Sequence, residues 1–237
     1  MLKLRNIVIM SDTFQKGVIF TTFFLSLFCG SLVCTSLVTN HWIESKPCRR
    51  LNPLESSGRI YFGLLHGRKE LNVAFGLRTH NITVSDMIDK NPNLMSWSLW
   101  CSTLISTSMA LLSTGIAALL AVVNSVTTPR IKIFSVPGIY FTNIIALFMC
   151  SISGCTWFIQ FYTKLYTNVL PKEDLDNSWT SKGATVLGFS FWLVIVAGVL
   201  HIINIFLIKW SSVRNKKEHR KSFNNLEEKS VGAIMLY

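Results

Sequence analysis

Four long apolar runs divide the chain, at about Gly17 to Val38, Trp97 to Val123, Val136 to Tyr162 and Val186 to Ile208. At ~1.5 Å of rise per residue, each is long enough to cross the ~30 Å hydrocarbon core of a bilayer. The first run exceeds the ~7–15 residue core of a cleaved signal and reads as a retained span. Small residues recur along the runs at every fourth position: Ser26, Gly30 and Cys34, then Ser106, Ala110, Thr114 and Ala118, then Ala146, Cys150 and Gly154. Small side chains let helix backbones approach closely where lipid gives no drive for association. The pattern predicts an all-α membrane fold: a tight, left-handed bundle of four transmembrane helices.

Between the first two runs the period changes. Ile60, Phe62 and Leu64 alternate with Arg59, Tyr61 and Gly63, which suits a half-buried strand. Gly67-Arg68 is placed to turn the chain. Leu71, Val73 and Phe75 then share one face of a second strand, with Asn72 and Ala74 on the other. A small extracellular β-hairpin or sheet is expected here. Val84 to Lys90 reads as a short amphipathic helix that stops before Pro92. The second outer segment is short and charge-balanced, with Trp179 as an interfacial anchor. The organisation is then a cytoplasmic N-terminus (1–16), a membrane domain (17–208, outer segments 40–96 and 163–185) and a cytoplasmic tail (209–237). The tail is polar and charged, a composition that predicts disorder. Met1 and Met10 both stand as candidate starts.

Half of the residues are hydrophobic and 15% are charged, so one membrane domain accounts for the whole chain. The net charge of +11 matters through its placement. Lys3, Arg5 and Lys16 precede the first run, Arg130 and Lys132 lie between the second and third, and Lys209, Arg214, Lys216, Lys217, Arg220 and Lys221 follow the fourth. The positive-inside rule puts all three groups, and both termini, in the cytoplasm. Asn81-Ile82-Thr83, a glycosylation acceptor, then lies outside. The tail cluster suits anionic lipids; basic residues without interleaved aromatics give no nucleic-acid reading.

The cores of the runs carry no Asp, Glu, Lys or Arg, which argues against an ion pump or coupled transporter. His201 and Asn204 form an intramembrane polar pair about one turn apart, expected to bond a neighbouring helix rather than a ligand. Of six cysteines only Cys48 is clearly in the outer segment, so the hairpin holds by packing; a Cys48–Cys101 bridge is conceivable. No nucleophile–base pair, carboxylate pair or metal-ligand cluster is visible, so no enzyme activity and no cofactor are expected.

Trp42 followed by Gly63-Leu64 partly resembles the claudin and peripheral-myelin pattern, with Leu65 in place of its second tryptophan and no paired cysteines. The clarin family is more similar. Phe62-Gly63-Leu64-Leu65-His66-Gly67 resembles its YGLFHG motif, and Gly76-Leu77 its following Gly-Leu. Pro137-Gly138-Ile139-Tyr140 with Asn143 resembles its entry to the third span. Ser190-Phe191-Trp192 and His201-Ile202-Ile203-Asn204 resemble its fourth span, and Met235-Leu236-Tyr237 its terminus. The lack of paired outer cysteines places the resemblance with the cysteine-poor branch.

The resemblance implies a non-enzymatic, multi-pass plasma-membrane protein that organises or traffics adhesion and channel complexes, in sensory cell projections for some members. In that reading Trp42, Tyr61, Gly63, Leu64 and Gly67 contact partner membrane proteins. Met235, Leu236 and Tyr237 offer an extended, apolar-ended tail for PDZ-type capture by a scaffold. The alternatives are an auxiliary subunit of a channel or receptor, and a claudin-like cell–cell adhesion protein.

Overall fold

The computed structural model describes residues 2–49, 57–72, 76–127 and 134–234. The fold is mostly helical, with four long apolar helices and a small antiparallel sheet. In chain order the elements are α1 (Leu2–Val38), β1 (Ile43–Ser45), β2 (Cys48–Arg49), β3 (Gly58–Phe62), β4 (His66–Asn72), β5 (Leu77–Thr83) and α2 (Val84–Lys90). These are followed by α3 (Trp97–Val126), α4 (Val136–Gln160), α5 (Lys172–Asp176), β6 (Trp179–Thr180), β7 (Thr185–Leu187) and α6 (Phe189–Ile234). A π-helical turn, Phe161–Leu165, ends α4. The candidate membrane spans are Asp12–Val38, Trp97–Val126, Val136–Leu165 and Phe189–Asn224. The protein is thus a multi-pass integral membrane protein.

Two compact units form, each drawing residues from all four long helices. One comprises Cys29–Leu112 and Ala146–Val199 and contains every strand. Its sheet has the order β5-β4-β3-β1-β7, antiparallel throughout, and β2 pairs separately with β6. Register explains which face is covered. Ile43 lies opposite Phe62, and Phe62 opposite Gly67. Side chains at paired positions share a face, so Ile43, Ile60, Phe62 and Leu71 cover one side. All of these are buried, together with Trp42, Leu64, Trp157 and Phe191. The opposite face carries Glu44, Arg59, Arg68, Glu70 and Asn81, with Arg68 and Glu70 paired at 3.2 Å.

The other unit comprises Met1–Phe28, Ser113–Ile145 and Leu200–Tyr237. Its apolar core is small: Ile19, Leu120, Ala121, Ile139 and Ile208. Buried polar side chains fill much of the remainder.

Several expectations change. The hairpin turns at Gly63–Leu65 rather than at Gly67-Arg68, because Gly67 pairs with Phe62 inside β4. Val73, Ala74 and Phe75, expected in the second strand, lie outside the described residues, as do Arg130 and Lys132. Trp179 is no lipid anchor: it pairs with Arg49 in the β2–β6 ladder and is buried. The fourth helix starts at Phe189, since Thr185–Leu187 forms an edge strand on β1. All six cysteines are free, so Cys48 and Cys101 are not bridged.

The tail differs most. The helix α6 continues to Ile234, where composition predicted disorder. Trp210, Arg214, Asn215 and His219 all meet α1. Trp210 packs edge-on against Phe14 at 5.6 Å, and the Arg214 guanidinium lies 4.1 Å over the same ring. Asn215 donates to Gln15, and His219 lies 3.1 Å from Asp12.

Candidate functional site

Trp42 follows α1 by four residues and secures the sheet-bearing unit. Its indole nitrogen donates to the Ser36 carbonyl at 2.7 Å, and its ring stands edge-on to Trp157 at 5.1 Å. Its amide donates to Phe62 O, and its carbonyl accepts from Gly188 N, both at 3.0 Å. One residue therefore bonds α1, β3 and the approach to α6. Trp100, in the first turn of α3, donates from its indole to the Leu64 carbonyl at 2.8 Å. Ser190, in the first turn of α6, meets Thr39 at 2.7 Å through its hydroxyl, and its carbonyl accepts from Ser36 at 2.7 Å.

Gly63 and Gly67 are required for space. A Cβ at Gly63 would overlap the Thr39 carbonyl, and one at Gly67 would overlap Phe62. With Trp42 and Leu64 fully buried, four of the five residues expected to touch a partner instead build the unit itself. Tyr61 is the exception; half-buried, it stacks on His41 at 4.8 Å.

The second constellation lies in the tail-bearing unit and is entirely buried. His201 on α6 places Nδ1 3.0 Å from Asn143 Oδ1 and Nε2 3.1 Å from Thr114 Oγ1. Asn204 donates from Nδ2 to Asn143 Oδ1 at 2.9 Å and to Ser26 Oγ at 3.0 Å. Asn143 donates to the Ile139 carbonyl at 2.8 Å, so its oxygen is free to accept from both neighbours. That orientation assigns the proton to His201 Nδ1 and makes Nε2 the acceptor for the Thr114 hydroxyl. Ser26, Thr114, Asn143 and the His201–Asn204 pair come from α1, α3, α4 and α6: every long helix contributes. Such bonds fix helix register more than they add stability, at ~0.6 kcal/mol each on average in membranes. Among the described residues no group of three His, Cys, Asp or Glu converges to hold a metal.

No protein-family model matches the chain. Over 219 residues it is 25% identical to Clarin-3 of Homo sapiens, an alignment covering 88% of this chain and 94% of that relative. The likeness to a clarin thus runs over nearly the whole chain.

The clarin-like residues cluster by role. Phe62 to Gly67 form the β3–β4 turn, Ser190 bonds α1 beside it, and Asn143, His201 and Asn204 form the buried network. Asn81 is exposed on β5, on the sheet face opposite the core. Met235, Leu236 and Tyr237 lie outside the described residues. Residue-level reading missed Ser26 and Thr114 as polar partners, because both sat in stripes of small residues that read as packing. Asn143 was marked only by resemblance; an amide inside an apolar run was the available signal. Trp100 gave no separate signal, since a tryptophan at the start of a span also suits a membrane interface.

Proposed function

We propose that this clarin-like protein organises other proteins in the plasma membrane, with its sheet outside and both termini in the cytoplasm. The sheet presents one face to the outer segments of adhesion or channel proteins. The tail ties the assembly to a cytoplasmic scaffold through Met235, Leu236 and Tyr237. The observation that carries this reading is the mounting of the sheet: Trp42 ties β3 to α1 and to the approach to α6, and Trp100 ties the β3–β4 turn to α3. The face left open bears Arg59, Arg68, Glu70 and Asn81, polar groups suited to recognition rather than to lipid. On α6, Lys209, Arg214, Lys216, Lys217, Arg220 and Lys221 are all exposed, which supports a cytoplasmic tail against anionic headgroups at ~1 kcal/mol per charge.

Proximity labelling tests the scheme, with the enzyme tag inserted after Lys221 and compared between the full chain and one lacking residues 235–237. Scaffold proteins labelled only by the full chain are the expected result. An unchanged set of neighbours would remove the scaffold limb. A parallel tag in the outer segment that returns no membrane protein would remove the organiser reading as a whole.

A further inference from the structure

We infer that β5 accepts an extended segment of a partner protein, with one acidic side chain of that segment seated in a basic cleft beside it. The inference rests on the partner-contact reading above and names the chemistry of the contact.

The covered face of the sheet is apolar from β1 to β3 and turns basic at its far edge. Lys69 lies opposite His80, and Arg78 opposite Leu71, so all four share that face. Across from them stand Arg49, on β2, and Asp174, on α5. Together they line a cleft of about 220 Å³. Among the described residues the one carboxylate there is already neutralised: Asp174 Oδ2 lies 2.6 Å from Lys69 Nζ, with both side chains largely buried. Arg49 uses Nε on the Asn177 carbonyl at 3.3 Å, which leaves its terminal nitrogens available. Arg78 is exposed. Two guanidinium groups with free N–H donors, and among the described residues no unpaired acid between them, suit a carboxylate.

The second observation concerns the backbone. β5 ends the sheet order, and among the described residues no strand lies beyond it. Six of its seven residues are exposed. An unpaired edge of this length is a template for strand addition, in which main-chain bonds give affinity and alternate side chains give selectivity. A residue paired with Arg78 on the added strand shares its face and points at the cleft. A second copy of β5 does not fit, since its sequence, Leu77 to Thr83, contains no acid. Asn81 lies on the other face, so a glycan there leaves the basic face clear.

The test uses the full chain in lipid nanodiscs and an eight-residue peptide of Thr and Val with one central Glu. Its Gln counterpart, and two versions N-methylated on alternate backbone nitrogens, are measured beside it. Expected are binding of the Glu peptide, a loss of tenfold or more for the Gln peptide and for Arg78→Glu, and loss for only one of the methylated versions. Equal binding of Gln and Glu peptides overturns the acidic contact. Equal binding of both methylated versions overturns strand addition, and capture of sialyllactose with no peptide bound assigns the cleft to acidic sugars instead. Failure of every peptide while outer-segment labelling still returns membrane proteins overturns this inference alone.

Discussion

The indole nitrogen of Trp100 donates to the carbonyl oxygen of Leu64 at 2.8 Å, joining the first turn of α3 to the turn between β3 and β4. Both residues are buried, so the carbonyl has no water to replace the indole. Trp100→Phe keeps the ring and removes the bond, at a cost of about 1–3 kcal/mol. Denaturant unfolding of the purified protein should register that loss. Hydrogen exchange should rise first across residues 58–72.

Trp42→Ala removes a buried ring packed against Trp157 and a bond to α1, at a cost of about 3–5 kcal/mol. A large drop in the folded fraction recovered from membranes is expected. Wild-type thermal stability in detergent would contradict the central place given to this ring.

Gly63→Ala is expected to fail without any loss of contacts. The added methyl meets a backbone carbonyl, that of Thr39, rather than a side chain that can swing away. Surface biotinylation should find the variant retained inside the cell. Gly115→Ala, where a Cβ meets nothing within 4 Å, should behave as wild type.

Asn143→Leu deprives His201 Nδ1 and Asn204 Nδ2 of their shared acceptor at one stroke. At ~0.6 kcal/mol per interhelical bond on average and ~1.7 at most, losing two costs about 1–3 kcal/mol. The sharper readout is specificity. Cross-linking between cysteines placed on α1 and α6 should spread over several registers in the variant and stay with one in the wild type.

Asn81→Gln tests orientation. If the sheet lies outside, wild-type protein from cultured cells should migrate faster after endoglycosidase treatment, and the variant should already run at that position. Identical migration of the two before treatment would remove the sugar from Asn81.

The spans were legible because an apolar run of that length has few other fates. The helix α2, Val84–Lys90, matched its expected bounds, since the apolar spacing and Pro92 acted together. β5 gave no such signal. Leu77 to Thr83 shows no alternation, because an exposed edge strand has no need to bury alternate residues. β1 and β7 are short and meet only through a contact across most of the chain, beyond the reach of local pattern. The recognition residues misled for a related reason: Trp42 and Leu64 stand in a polar outer segment but work against the helices. The tail misled through composition, because its contacts with α1 run through a few side chains, Trp210, Arg214, Asn215 and His219, that show no single helical stripe.

Every cysteine in the molecule is a free thiol, and the sheet is held by indoles, hydroxyls and close-packed glycines instead. The fold is therefore indifferent to the redox potential around it. It needs no oxidant or disulfide isomerase to mature, and reductants that open disulfide-linked outer domains leave this one closed. A protein so built can reach its final shape as soon as its last helix is in the bilayer, and can keep that shape wherever the membrane carries it.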